Sequence, residues 1–470
     1  MSFVGRGSGA RAAAALAIVI GVCSTFASAR SRHATVDKST FASARSPHAS
    51  AFASTDATAD KPADKSTFAS EAPYHSAIAT KAETRALWVL RTSLTTPENI
   101  ATLVRSARES GFNTLIVQVR GRGDAYYLGS VEPRPADLLR QPNSFDPLAS
   151  VLEAGHAAGL QVHAWVNVNL ISSATDLPAA REHVVYRHAA WLMVPRDIAQ
   201  ELASIEPESP AYVGKLARWT RTQPNDIEGL YTSPIITEAA DYTDSIVRDL
   251  AHRYAVDGIH LDYARYPSDR FDYSRPAIRE FRTAVRGGLP VTVRRTLDAE
   301  EAVDLFAYPD ALPDLWRNFR IARMTALVAR LHATVKRERP QALVTVAVAP
   351  DMRDAYQHRL QDWGAWLEAG LVDAICPMAY TTEAATFAEQ IAAARAAAGT
   401  RAVWAGIGAY RLAPQETIHN IQTARRLGAD GVILFSYDSL VNPRQTSPDY
   451  LSVVGRAAFT TTLPAPTGSR

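Results

Sequence analysis

A carboxylate that closes an otherwise apolar run is the first feature of this sequence able to do chemistry. The stretch Asp257-Gly258-Ile259-His260-Leu261-Asp262-Tyr263-Ala264-Arg265-Tyr266-Pro267 reads as a β-strand that ends at Asp262. Alternate side chains of a strand share a face, so His260 and Asp262 point the same way. An ionised carboxylate leaving water needs a cation or hydrogen-bond donors. His260, Tyr263 and Arg265 are at hand to orient or pair it. Such an acid either works on a ligand or forms half of a structural ion pair. Asp257, at the opposite end of the run beside Gly258, reads as a turn or cap residue.

Other apolar runs end in polar groups too. Gln118-Val119-Arg120-Gly121-Arg122-Gly123-Asp124 puts Gln118 and Arg120 on one parity, and its glycines let the backbone turn sharply and approach a ligand. Arg120 could clamp Asp262 or a sugar hydroxyl. In Gln161–Asn169 the residues His163, Trp165, Asn167 and Asn169 alternate with Val162, Ala164, Val166 and Val168. An indole beside amides suits a sugar, whose apolar face packs on the ring while its hydroxyls meet the amides. The same pattern also fits a layered core with satisfied amides. Further runs reach Asp351, Tyr380, Tyr410, Tyr437 and Asp438. Two carboxylates facing across a pocket are the equipment of glycoside cleavage, about 5 Å apart for retention and roughly 6.5–9.5 Å for inversion. Asp351 is the expected partner of Asp262, with Glu383 and Asp124 next. No HExxH, Gly-x-Ser-x-Gly or phosphate-binding loop occurs, and the twelve histidines lack metal spacing. No cofactor and no metal is therefore expected.

The elements that must hold these residues follow from the pattern. Eight short apolar or alternating runs occur: Ala86–Leu90, Thr114–Val119, Gln161–Val168, Gly258–Tyr263, Leu343–Ala349, Val372–Tyr380, Ala402–Tyr410 and Gly431–Tyr437. Helical spacings separate them. Thr95-Thr96-Pro97-Glu98 opens a helix to Ser110, and Asp146-Pro147 opens one that ends at Gly159. Eight strands alternating with helices predict a parallel (β/α)8 TIM barrel spanning 82–457, with a tail at 458–470. Insertions follow strands three and four, at residues 170–236 and 268–315. Both leave the C-terminal rim, where barrels build their sites. The first carries Trp191 and Trp219, which are expected to wall a sugar cleft.

The 470 residues are 47% hydrophobic and 21% charged, enough for one large core. Residues 1–29 read as a signal peptide, with Arg6 and Arg11 ahead of the apolar run Ala12–Val22 and cleavage after Ala29. The expected location is secreted or periplasmic, with no membrane attachment after cleavage. Arg6 and Arg11 are the only charges before Arg30, so the remainder balances 48 acidic residues with as many basic ones and gives no reason to expect nucleic acid as a partner. Residues 30–80 are rich in Ala, Ser and Thr, repeat the octapeptide STFASARS of Ser24–Ser31 at Ser39–Ser46, and read as a disordered linker. Of two cysteines, Cys23 leaves with the signal and Cys376 reads as a small core side chain.

These segments resemble glycosyl hydrolase-like family 10. The resemblance is carried by Thr84–Leu90 (TRALWVL), Gly111–Tyr127 (GFNTLIVQVRGRGDAYY), Gly159–Asn169 (GLQVHAWVNVN), Tyr254–Pro267 (YAVDGIHLDYARYP), Val372–Tyr380 (VDAICPMAY) and Gly428–Leu440 (GADGVILFSYDSL). It spans about residues 82–445 and implies an exported glycosidase barrel in which Asp262 takes the strand-four carboxylate role. The strand-four run is also similar to that of family-18 chitinases but departs from it, because Ala264 and Arg265 stand in place of the chitinase acid. The resulting expectation is a glycoside hydrolase acting on an extracytoplasmic polysaccharide such as cell-wall glycan. Asp262 would serve as nucleophile or base and Asp351 as acid. Arg120, His260 and Arg265 would hold Asp262 ionised. Asp124, His163, Trp165, Asn167, Tyr263, Tyr380 and Tyr437 would contact substrate. The rival expectation is a non-catalytic glycan-binding barrel.

Overall fold

The computed structural model describes residues 82–223, 227–443 and 446–459. The expected signal peptide 1–29, the linker 30–80 and the tail beyond Phe459 lie outside the described residues. Ten strands occur among those described: β1 Thr84–Val89, β2 Thr114–Arg120, β3 Gln161–Asn167, β4 Leu170–Ser172, β5 Leu230–Tyr231, β6 Gly258–Asp262, β7 Leu343–Val348, β8 Ala374–Ala379, β9 Ala402–Ile407 and β10 Gly431–Phe435. Eight of them close a parallel barrel in the order β1-β10-β9-β8-β7-β6-β3-β2. These are the eight runs legible in the sequence. The short β4 and β5 pair antiparallel inside the first insertion. Among the described residues no helix is long and apolar enough to cross a membrane.

Local sequence explains the helix starts. Thr96 caps Pro97–Glu109 by accepting from the Asn99 amide at 3.1 Å, and Asp146 caps Pro147–Ala157 by accepting from the Ala149 amide at 3.0 Å. Proline at the first helical position lacks the N–H that would go unpaired there. Alternation then divides the core. Leu87, Val89, Leu115, Val117, Val162, Ala164, Ile259 and Leu261 face the helices, while Trp88, Ile116, Trp165, Cys376, Trp404 and Ile433 fill the barrel. Ala458 and Phe459 do not fray: the Phe459 ring packs edge-on against Phe112 at 5.1 Å.

The barrel interior carries a polar rod through its apolar filling. The Trp88 indole N–H donates to Nε2 of His260 at 3.0 Å, and His260 Nδ1 meets the Thr345 hydroxyl at 2.9 Å. His260 is thus spent as a structural link between β1, β6 and β7. Below it, His163 is fully buried, and neither ring nitrogen finds a partner among the described residues. Gly258 makes room for that ring, since a Cβ there would lie 2.4 Å from Nδ1. Burial pushes the imidazole of His163 down to about 4 and that of His260 to about 3, where neighbouring His163 also disfavours charge. Both values lie below the unfolded value of about 6.5, so the unfolded chain takes up protons first as pH falls. Stability is expected to be full above pH 6.5 and to decline towards pH 4, each histidine adding up to about 1.4 kcal/mol per pH unit. Urea unfolding at pH 7, 5.5 and 4.5 measures this. His163→Gln should flatten the slope, and an unchanged slope would remove His163 from the account.

The first and last barrel strands are joined by one side chain. Asp438, just past β10, accepts from the Leu90 amide at 2.7 Å and from the hydroxyls of Ser93 at 2.6 Å and Thr92 at 3.1 Å.

Candidate active site

The C-terminal ends of the strands open into a cavity of about 690 Å³. Its floor is aromatic: Trp88, Trp165, Tyr380 and Phe435 line it, with the Tyr380 and Phe435 rings stacked 5.4 Å apart. Asp262 ends β6 inside this cavity, buried, opposite Asn167 in the register with β3. Its Oδ1 accepts from the Tyr263 amide at 2.6 Å and from Arg265 Nη1 at 3.2 Å. Tyr263 holds a left-handed backbone, φ 51°, an uncommon conformation for a side chain of this size. Such local strain persists where surrounding structure imposes it, as at sites that must aim a group. The Arg265 guanidinium lies 4.1 Å from the Tyr263 ring centroid.

A second carboxylate reaches the same arginine. Arg265 Nη2 contacts Oε1 of Glu228 at 3.5 Å, and the Tyr231 hydroxyl donates to Oε2 of Glu228. Two acids bonded to the two arms of one guanidinium fall inside the outer bound of about 9.5 Å for paired glycosidase carboxylates. Their environments differ. Burial pushes the Asp262 carboxyl above the usual range, and Arg265 with the Tyr263 amide only partly offsets it. Burial acts on Glu228 in the same sense, but Arg265, the Tyr231 hydroxyl and Arg359 together outweigh it and hold that carboxyl below its usual range.

Of the residues singled out in the sequence, Asp262, Trp165, Asn167, Tyr263, Arg265 and Tyr380 line the cavity. Asn167 accepts from the Trp165 indole at 2.9 Å and donates to the Gly121 carbonyl at 2.8 Å. Six others lie elsewhere. Asp351 is exposed and caps the helix Met352–His358 through the Asp354 amide at 2.7 Å. It is Asp354, on the first turn of that helix, that lines the cavity. Arg120 is turned away by a register shift between Gln118 and Arg120, which pairs Arg120 with outward-facing Val166. One extra residue reverses the parity of everything after it. Arg120 then forms a buried pair with Glu132, with Nη2 to Oε1 at 2.7 Å and side chains 1% and 0% exposed. His163 and His260 lie beneath the cavity in the filled barrel. Asp124 holds its own turn by accepting from the Arg122 amide at 2.9 Å. Tyr437 is buried in the layer between strands and helices.

The insertion aromatics also fall outside the cavity. Trp191 stacks on His188, with centroids 3.8 Å apart, and packs against a separate core formed by both insertions. Trp219 packs edge-on against Phe271 at 6.0 Å. The first insertion contributes Glu228 to the cavity instead. No periodicity marks Glu228, because the two-residue β5 behind it is too short to show alternation. Trp88 and Phe435 were readable in principle, as inward positions of β1 and β10. A second cavity, of about 640 Å³, lies between insertion helices and contains none of these strand-end residues.

Residues 83–411 match the family described as Glycosyl hydrolase-like 10. Among curated relatives, glycosyl hydrolase DigH of Escherichia coli strain K12 is 26% identical over 289 residues, covering 57% of this chain and 55% of that protein. Glycosyl hydrolase YngK of Bacillus subtilis strain 168 is 25% identical over 219 residues, covering 43% of this chain and 37% of that protein. The matched stretch thus spans about half or less of these relatives. Among solved structures, the glycoside hydrolase domain of PgaB (BpsB) from Bordetella bronchiseptica superposes with a TM-score of 0.55 at 16% identity, over 79% of this chain and 98% of that one. The catalytic domain of a beta-amylase from Paenibacillus polymyxa gives 0.51 at 12% identity, over 82% and 100%. At such identities the likeness is one of fold.

Proposed function

The chain belongs to the glycosyl hydrolase-like 10 family, and from that premise we propose that it hydrolyses glycosidic bonds of an extracytoplasmic polysaccharide, using Asp262 and Glu228 as its carboxylate pair. The observation that carries this reading is Arg265 holding both acids, buried Asp262 and exposed Glu228, in the lining of one aromatic-floored cavity. Environments that push two carboxyls in opposite directions suit the raised one to donate a proton and the lowered one to stay ionised. Asp262 is then the acid that protonates the departing glycosidic oxygen. Glu228 is the base that deprotonates water, or the nucleophile that attacks the anomeric carbon. This exchanges the role expected for Asp262 from sequence alone and replaces Asp351 by Glu228. Arg265 keeps Glu228 charged and takes up the charge left on Asp262 after proton transfer. Tyr380, partly exposed, offers ring surface to the sugar, and buried Trp165 underlies it in the cavity floor.

Export by residues 1–29 and a cell-envelope glycan as substrate extend this proposal, resting on the signal pattern. A reducing-end assay of the full chain against purified envelope and plant glycans tests it. New reducing ends with wild type and none with Glu228→Gln are expected. Binding without cleavage on every glycan would favour the glycan-binding barrel. A large loss in Asp351→Asn or Asp354→Asn, with Glu228→Gln unaffected, would move the second role to that residue.

A further inference from the structure

Of the charged groups lining the cavity, Asp262 and Glu228 are both bonded to Arg265. Arg91, just beyond β1, and Arg122, just beyond β2, line the same cavity, and β1 and β2 are neighbours in the barrel, with β3 between β2 and the Asp262 strand β6. Neither Arg91 nor Arg122 forms an ion pair among the described residues. Arg91 donates to the Gln118 side chain at 2.8 Å. Nη1 of Arg122 is buried and has no hydrogen-bond partner among the described residues.

The backbone of Arg122 is committed even though its side chain is not. Its amide donates to Asp124 at 2.9 Å, and its carbonyl meets His183 Nε2 at 2.7 Å. The turn is thereby fixed, and the guanidinium is presented to the cavity with little freedom of its main chain. A buried donor without an acceptor is costly, more so when charged. Guanidinium groups match carboxylates in shape and donate two parallel bonds to them. Neutral sugar hydroxyls would satisfy a donor but leave two cations uncompensated.

Resting on the glycosidase reading of this cavity, we propose that Arg122, assisted by Arg91, forms a subsite for a carboxylate carried on a sugar unit, so that the protein selects an acidic glycan over its neutral counterpart. The subsite lies at the ends of β1 and β2, separated from β6 and its Asp262 by the strand β3.

The test is equilibrium binding by saturation-transfer NMR and calorimetry with the full chain. Glucuronate, galacturonate and mannuronate are compared with glucose, galactose and mannose. The expected result is at least tenfold tighter binding of the acid in one or more pairs, weakening as salt is raised. Arg122→Met should abolish the preference and Arg122→Lys should keep part of it, with thermal midpoints close to wild type. Equal binding of acid and neutral sugar in every pair, or a preference that survives in Arg122→Met, would overturn the subsite. Because binding is read without turnover, an acid preference in a protein that cleaves nothing would sink only the hydrolase reading. Cleavage without acid preference would sink only the subsite.

Discussion

Glu228→Gln is expected to leave the fold intact and to lower glycan turnover by roughly 100- to 10,000-fold, the range supplied by a positioned proton-transfer group. The substitution keeps shape and removes charge, and Glu228 sits at the rim of the barrel where its loss opens no core cavity. Asp262→Asn should produce a comparable loss with a different signature. A variant lacking the acid recovers on substrates whose leaving group departs without protonation, such as dinitrophenyl glycosides. A variant lacking the base or nucleophile does not recover on those substrates, and a small anion such as azide can take its place instead. Steady-state kinetics on natural and activated glycosides therefore separates the two roles. The acidic limb of kcat/KM should report Glu228 and the basic limb Asp262, given that burial lifts Asp262 and Arg265 holds Glu228 down. Recovery of Glu228→Gln, but not Asp262→Asn, on the activated substrate would reverse the assignment.

The second large effect concerns stability. Arg120 and Glu132 are both fully buried, and Arg120 Nε lies 3.0 and 2.9 Å from the two oxygens of Glu132. Removing one partner strands the other charge in a medium that cannot solvate it, at a cost of about 3–5 kcal/mol. Glu132→Ala is expected to cost that much in urea unfolding, since an arginine does not shed its proton to escape. Arg120→Ala should cost less than Glu132→Ala, because burial already raises the Glu132 carboxyl and a protonated acid tolerates the interior. Arg120→Met with Glu132→Leu, similar in volume and uncharged, should recover much of the loss. A loss under about 1 kcal/mol for Glu132→Ala would show that water reaches the pair.

The barrel was legible because eight runs of alternating or continuous apolar residues each mark a strand, and capping signals at Thr96 and Asp146 mark the helices between them. Asp262 was legible for the same reason: a carboxylate ending an apolar strand is conspicuous. Parity placed Trp165 and Asn167 in the mouth beside it. The same rule misplaced Arg120, because a single extra residue after Gln118 reverses the face and leaves no trace in composition. Asp351 was misread because an aspartate after Val348-Ala349-Pro350 looks alike whether it ends a strand or caps the following helix. Glu228 lies in an insertion, where neither period applies, and only the folded chain carries it to Arg265. His260 shares the inward face with Asp262, but which layer it occupies depends on what fills the barrel, here Trp88 and Thr345.

The clasp made by Asp438 also governs when the molecule can exist as a closed object. The residue bonds the Leu90 amide across 348 positions of sequence, and β1 pairs with β10 along the seam it locks. Contacts of such long separation form late, after the entropy of closing the intervening loop has been met. Until β10 has emerged, β1 and β9 each present an unsatisfied row of amides and carbonyls, the kind of edge that recruits strands from other chains. A growing or truncated chain is thus adhesive at two places at once, and it becomes a self-contained solute only when its last strand is delivered.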